Sequence, residues 1–286
     1  MTRRRSARRP ALFIHGGAGT HGTVEHREQV RRSLRKIGKE AFQFLQTHSA
    51  LESVVFVVQQ LEDDPLFNAG TGSVLQRDGV ARMSASVMDG ATLRFAGVLN
   101  LERVKNPVLV AQALLSERET VLAGSGAQRF ARSRGFGPWN PVTPSRRRQW
   151  RQAQAASPET VGAVALDREG QLAAATSTGG RAMVSPGRVS DSGMPVGNYA
   201  HARAAIACTG NGEEIMHEAL AARLAQQVLD GISLHAAFAA TFRELRRRAR
   251  EVAAIGLDQA GRLVWATTVP VLYAAGFTVA RRVETF

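Results

Sequence analysis

Apolar residues recur along this chain at two periods, and the switches between them mark its elements. Residues 11–14, Ala-Leu-Phe-Ile, form a short continuous apolar run that predicts a buried strand, ending abruptly at His15-Gly16-Gly17-Ala18-Gly19. Val30, Leu34, Ile37, Ala41 and Phe44 then keep the 3.6-residue period of an amphipathic helix. Ser49-Ala50-Leu51-Glu52 has capping-box spacing, and Val54, Val55, Val58 and Leu61 mark a second helix that Asp63-Asp64-Pro65 stops. The stretch 66–72 reads as loop, and the Asp-Gly in Arg77-Asp78-Gly79 predicts a hairpin with strands on both sides.

Strands are expected at 83–88 and 95–101 around a second Asp-Gly turn, Asp89-Gly90, with a helix over 107–115 that has proline in its first turn. A brief strand at 121–123 and a short helix at 127–131 follow. From 133 to 159 the periodicity fails and Gly, Pro and Arg dominate, which predicts a linker over the surface. Beyond it come a hairpin (160–166 and 172–178), a strand at 204–208, helices at 213–229 and 233–247, and strands at 252–257, 262–268 and 271–280. Hairpins at both ends with helices grouped between them predict an α+β fold. Its two mainly antiparallel sheets would stack face to face with helices over the outer faces.

Composition narrows the class. At 286 residues and 44% hydrophobic content the chain can bury a sizeable core. We read residues 1–10 as a disordered basic tail and 11–286 as one domain. The single cysteine, Cys208, excludes an intrachain disulfide and is expected as a small buried strand residue. The basic start is followed by only four apolar residues, short of a signal-peptide core, and no stretch is long enough to span a bilayer, so the expected location is the cytoplasm. The net charge of +13, with arginine triplets at 3–5, 146–148 and 246–248, raises nucleic-acid binding. No aromatic residues interleave with these clusters, so specific nucleic-acid binding is not expected. No histidine spacing suits a catalytic metal.

Candidate chemistry centres on Thr160, which heads Val161-Gly162-Ala163-Val164-Ala165-Leu166-Asp167, with a second hydroxyl run, Thr176-Ser177-Thr178-Gly179-Gly180, one hairpin later. A threonine at a strand start is ordinarily structural, because a β-branched side chain suits that place. Were the peptide bond before it cut, however, its freed α-amine, with a pKa of about 8, would sit beside its own hydroxyl as general base.

Several further runs stand in the same order as in a known family: His15-Gly16-Gly17-Ala18-Gly19, Leu61-Glu62-Asp63-Asp64-Pro65-Leu66-Phe67-Asn68-Ala69-Gly70, Met88-Asp89-Gly90, Pro186-Gly187-Arg188-Val189 with Asp191-Ser192, and Cys208-Thr209-Gly210. With the two hydroxyl runs, they make the chain resemble the plant-type L-asparaginase and isoaspartyl peptidase family of N-terminal nucleophile hydrolases. The resemblance covers residues 11–212 well and implies a four-layer αββα sandwich. It also implies self-cleavage between Glu159 and Thr160 into chains 1–159 and 160–286.

By the same resemblance Thr160 is the nucleophile and Thr178 the hydroxyl that orients it. Thr209 and Gly210 form the oxyanion hole, Arg188 clamps the substrate α-carboxylate and Asp191 accepts its α-ammonium. Val189, Ser190, Asn211 and Gly212 complete the substrate-binding stretches. Asn68 lies near the nucleophile, and Gly16 and Gly17 serve in processing. A sodium ion is implied on the backbone carbonyls of Leu61, Glu62, Asp64, Phe67, Ala69 and Thr71, and no cofactor is required for catalysis. The family habit implies a homodimer of αβ units.

The expected activity is hydrolysis of β-aspartyl dipeptides and of asparagine. Two departures keep alternatives open. Glu159 stands where isoaspartyl peptidases usually carry glycine and resembles the aspartate of glycosylasparaginases. Glu251-Val252 replaces a glycine pair expected beside the pocket. The alternatives are a glycosylasparaginase-like or protein-cleaving hydrolase, and an uncut inactive relative serving as a basic binding scaffold.

Overall fold

The computed structural model describes residues 9–19, 23–153 and 160–285. Strand β1 (Ala11–Gly19) leads to helices α1 (Val24–Phe44) and α2 (Ala50–Asp63), then strands β2 (Met83–Asp89) and β3 (Arg94–Leu101). Helix α3 (Pro107–Leu114), strand β4 (Val121–Ala123), and helices α4 (Gly124–Ser133) and α5 (Pro144–Arg151) complete the first half. The second half opens with the hairpin β5 (Val161–Leu166) and β6 (Leu172–Thr178), followed by a 3-10 turn at Asp191–Gly193 and strands β7 (Asn198–His201) and β8 (Ala204–Gly210). Helices α6 (Gly212–His217), α7 (Leu220–Leu229) and α8 (Leu234–Arg247) precede β9 (Val252–Asp258), β10 (Leu263–Thr267), β11 (Val271–Thr278) and β12 (Arg282–Glu284).

Among the described residues the strands form two sheets, ordered β12-β11-β1-β5-β6-β2-β3-β4 and β10-β9-β8-β7. Pairing is antiparallel except between β3 and β4. Period-two alternation decides which side chains meet what. On the large sheet, Leu12, Ile14, Ala85, Val87, Ala163 and Ala175 pack with the apolar stripes of α1 to α4. Phe13, Met88, Val164 and Ala174 point the other way, against Ala205, Ala207, Ile255 and Leu257 of the small sheet. Ile206, Cys208 and Ala254 face Leu220, Leu224, Phe238 and Phe242 of α7 and α8. Cys208 is buried on β8, as expected.

The helix starts are specified locally. Thr23 Oγ1 accepts from the His26 N–H, and at α2 the Ser49 hydroxyl and Glu52 carboxylate each serve the other's backbone N–H. Such caps are worth about 1 kcal/mol each. No helix among the described residues is long and apolar enough to cross a membrane.

Several expectations are corrected. Strand β1 does not stop at Ile14; it continues to Gly19 through a register shift between His15 and Ala18, where Gly17 takes φ 120°. A glycine bulge lets a strand bend without ending. Around Arg77-Asp78-Gly79 there is a turn but no flanking strand before Met83: Gln76 bonds to Val80 across the turn, and the backbone of Leu75 and Arg77 meets only Met183 and Val184 of a loop, too short a contact to extend into a ladder. Of the stretch expected as linker, residues 133–153 are described and are not without structure, while 154–159 lie outside the described residues. Helix α5 sits in it, with Thr143 as N-cap, and Trp150 Nε1 and Arg146 Nε donate to the carbonyls of Gln76 and Gly72. The helix expected over 213–229 breaks in two where Ala219 adopts φ 45°. Strands β7 and β12 are additional, and α4 is longer than its apolar positions suggest. Of the expected tail, residues 1–8 lie outside the described residues and Pro10 is buried.

Candidate active site

The face that the large sheet turns to the small one changes character along its length. At one end it is apolar, with Met88, Ala174 and Val164. The same alternating positions at the other end read Ser84 and Ser86 on β2 and Thr176 and Thr178 on β6, all buried. Thr160, immediately before β5, belongs to this hydroxyl-rich end and is only 4% exposed. Since Val161 pairs with Ser177, Thr160 and Thr178 stand side by side one step beyond that pair. The Thr160 backbone N–H donates to Thr209 Oγ1 of the small sheet at 3.3 Å, and Thr160 Oγ1 lies 3.3 Å from Ser192 Oγ. Glu159, on the other side of the expected cut, lies outside the described residues.

Loops from both sheets close around this end. Thr178 Oγ1 accepts from the Gly180 N–H, and Asn68 ties the loop after α2 to the same place by donating Nδ2–H to the Gly180 carbonyl at 2.8 Å. The Gly179 N–H donates to the Asn68 carbonyl. A Cβ on Gly179 would lie 2.5 Å from Asn68 Oδ1, so this close approach requires glycine. Gly16 packs so tightly that a Cβ would sit 2.5 Å from the Phe67 ring, which joins the β1 bulge to the Asn68 loop.

His15, on β1, is fully buried and neither ring nitrogen has a hydrogen-bond partner among the described residues. Its Nε2 occupies the space that a Cβ on Gly162 would need, 2.3 Å away. Burial drives its pKa down to about 3, partly opposed by the Thr160 backbone, so the ring is neutral at pH 7.

Arg188, Asp191 and Gly212 converge on one another. Arg188 Nε and Nη2 each donate to the Glu213 carboxylate at 2.8 Å, a bidentate pair. This pair lowers the Glu213 pKa. Glu213 was not singled out in the sequence, although it directly follows the Asn211-Gly212 pair. Asp191 Oδ1 accepts from Ser190 Oγ, while Oδ2 is buried without a partner among the described residues. Burial pushes Asp191 up to about 6, partly opposed by Arg188. A Cβ on Gly212 would lie 2.7 Å from both Arg188 Nη2 and Asp191 Oδ1, so the guanidinium and the carboxylate border one small space. Val189 is half-buried in the connecting turn.

Thr209 and Gly210 end β8, with Gly210 at φ 125° and the site of its missing Cβ 2.6 Å from the Glu251 carbonyl. That carbonyl also accepts from the Asn211 N–H, so Glu251 supports the strand end through its backbone while its side chain is exposed. Asn211 Oδ1 is buried without a partner among the described residues.

The loop expected to bind sodium is closely folded. The Glu62 carbonyl accepts from Thr71 and the Asp64 carbonyl from Phe67. A Cβ on Gly72 (φ 105°) would meet the Phe67 and Pro65 carbonyl oxygens, each at 2.7 Å. The Glu62 side chain is buried, which pushes its pKa up to about 8. Among the described residues no three His, Cys, Asp or Glu side chains group as metal ligands.

The class that this fold and site define is a hydrolase. The model of the asparaginase family matches residues 8–286, and the chain belongs to that family. It is 43% identical over 290 residues to the isoaspartyl peptidase/L-asparaginase of Nostoc sp., covering 93% of this chain and 91% of the relative. The plant-type L-asparaginase of Pyrococcus abyssi is 38% identical, with 79% and 82% covered. The isoaspartyl peptidase of Escherichia coli is also 38% identical, with 78% of each covered.

Proposed function

We propose that the chain is a self-processing threonine hydrolase that cleaves β-aspartyl dipeptides and, less efficiently, asparagine. The observation that carries this reading is Thr160, buried between the two sheets with its N–H on Thr209 Oγ1 and its hydroxyl 3.3 Å from that of Ser192, the residue directly after Asp191. The family membership and the names of its relatives support it. The two stacked sheets and their helices are then the four-layer αββα sandwich of N-terminal nucleophile hydrolases, built from residues 11–286 as one domain. Two such αβ units form a homodimer in the cytoplasm.

Maturation begins when Thr160 Oγ attacks the Glu159 carbonyl carbon. The C–N bond breaks as the C–O bond forms, and the hydroxyl proton ends on the Thr160 nitrogen. Water hydrolyses the ester, restoring Oγ–H and leaving Glu159 with a carboxylate. Gly16 and Gly17 shape the chain beside this bond.

In turnover, the freed amine takes the Oγ proton while Oγ attacks the side-chain carbonyl of the substrate. The Thr209 hydroxyl and the Gly210 backbone N–H receive the oxyanion, Thr178 orients the nucleophile, and the amine passes its proton to the leaving nitrogen. A water molecule then releases aspartate. The Arg188 guanidinium reads the α-carboxylate and Asp191 the α-ammonium, with Val189, Ser190, Asn211 and Gly212 shaping the walls. The carbonyl cradle at Gly72 suits a sodium ion held by Leu61, Glu62, Asp64, Phe67, Ala69 and Thr71; such an ion would stiffen the loop carrying Asn68 and take no part in the chemistry.

The rival reading as an uncut basic scaffold draws on the arginine clusters. Arg146, Arg246 and Arg248 are engaged internally, with Gly72, Thr267 and Glu218, which weakens that reading. The test is the intact mass of the purified protein on a denaturing separation, with two fragments divided before Thr160 as the expected result. A chain that stays whole on long incubation overturns the proposal. Assays with β-Asp-Leu, asparagine and a glycosylated asparagine separate this activity from that of a glycosylasparaginase.

The pH profile supplies a second check. An amine with pKa of about 8 must be neutral to act as base, so log kcat/KM should fall with a slope of about one below that pH. Asp191 must be ionised to hold the substrate ammonium, and its raised pKa means it gains a proton below about 6. The slope should therefore steepen to about two there. In Asp191→Asn that second bend should vanish; if it persists, Asp191 does not read the ammonium.

A further inference from the structure

Thr160 Oγ1 lies 3.3 Å from the hydroxyl of Ser192, a fully buried residue that the role assignments above leave without a task. Ser192 sits in the 3-10 turn Asp191–Gly193, and the surroundings of that turn are unusually committed to one geometry. Its carbonyl accepts two buried hydroxyls, Ser86 Oγ at 2.7 Å and Thr176 Oγ1 at 3.0 Å. These residues are directly paired across β2 and β6. Asn198 Nδ2 on β7 donates to both of them, at 2.6 and 2.7 Å. Each hydroxyl thus spends its one proton on the Ser192 carbonyl and a lone pair on the Asn198 amide. Beneath the turn, a Cβ on Gly97 would lie 2.3 Å from the Gly193 carbonyl oxygen, and one on Gly193 would lie 2.3 Å from Leu99 Cδ2 and 2.8 Å from the Val98 carbonyl oxygen, so the turn packs directly on β3 with the Leu99 side chain against Gly193.

Groups from both sheets therefore fix the backbone of Ser192, which carries its hydroxyl beside the nucleophile. We infer that Ser192 is a further catalytic residue, its O–H donating to Thr160 Oγ1 to hold the side chain in the attacking rotamer. The direction follows from the chemistry proposed for Thr160, on which this inference rests. The Thr160 hydroxyl proton must point at its own nitrogen to be transferred there, which leaves Thr160 Oγ1 as acceptor and Ser192 as donor. Ser192 keeps its proton throughout; the charge that develops on Thr160 Oγ during attack strengthens the bond it receives. The same oxygen attacks in both maturation and turnover, so Ser192 serves both. Substrate binding depends on Arg188 and Asp191, and Ser192 touches neither the guanidinium nor the substrate head group in this scheme.

The test compares Ser192→Ala and the near-isosteric, weakly donating Ser192→Cys with the wild type, using β-Asp-Leu as substrate. Thermal midpoints within a few degrees of wild type establish that a variant folds. Self-cleavage should slow in both variants. In the matured fraction kcat should fall about 10- to 100-fold, as for a misplaced reacting group, with KM changed less than about threefold. A matured variant with kcat within about twofold of wild type overturns the role of Ser192 and leaves the Thr160 reading standing. So does a loss that appears in KM alone. A wild-type chain that never divides before Thr160 overturns both.

Discussion

Replacing Thr160 by alanine should leave the chain whole and reduce hydrolysis of a β-aspartyl dipeptide by about four orders of magnitude or more, as loss of a nucleophile does in other hydrolases. Both losses have one cause. Alanine removes the oxygen that attacks the Glu159 carbonyl, so the cut does not occur and the α-amine that would serve as base stays tied up in a peptide bond. Thr178 cannot take over, because its nitrogen lies within β6 and no cleavage frees it. Denaturing separation of the variant and a rate measurement against wild type check both halves. A Thr160→Ala chain that still divides, or that keeps more than about 1% of the activity, removes Thr160 from the mechanism.

The second large effect is expected at Arg188. Arg188→Ala removes the guanidinium that borders the space at Gly212 and leaves the Glu213 and Asp191 carboxylates facing it without a cation between them. A hydrogen bond between charged groups contributes about 1.5–3 kcal/mol, or roughly 10- to 150-fold in affinity, and the partly exposed Glu213 places the expected loss in that range. Because the α-carboxylate is bound alike in ground and transition states, the loss should fall mainly on KM. Arg188→Lys should recover little, since an ammonium cannot hold Glu213 through two parallel bonds while presenting a further N–H to substrate. A loss confined to kcat would show that Arg188 acts on the reacting centre instead. Unchanged kinetics would place the head group elsewhere.

Much of this architecture is legible locally. The 3.6-residue period of α1 and the capping box of α2 are short-range signals, and both elements form where those signals place them. The hairpin from β5 to β6 follows from two apolar runs around a glycine-containing turn. The misreadings share a cause as well. The Gly16-Gly17 pair is taken for the end of a strand because glycine punctuates local structure, yet β11 pairs with β1 on both sides of the bulge and carries it through, while β5 pairs only as far as His15. Helix α5 carries no buried residue and no apolar stripe; its place comes from Trp150 and Arg146 reaching carbonyls more than seventy positions earlier. The break at Ala219 has no glycine or proline to announce it.

The candidate site divides the same way. Thr160, Thr178, Arg188, Asp191, Thr209 and Gly210 can be singled out because their runs stand in a recognisable order. Glu213 lies outside those runs and Ser192 stands in one without an assigned role, because what distinguishes them is contact: one with a guanidinium 25 positions away, the other with a hydroxyl 32 positions away. The alternation Ser84, Ser86, Met88 already divides one strand face into polar and apolar ends, and this is a property of the chain alone. That the polar end should meet Thr160, the Asn198 amide and the turn bearing Ser192 depends on how two sheets stack. Strand alternation chooses the face on which a side chain lies, whereas its partner across the interface is chosen by packing between segments far apart in the chain.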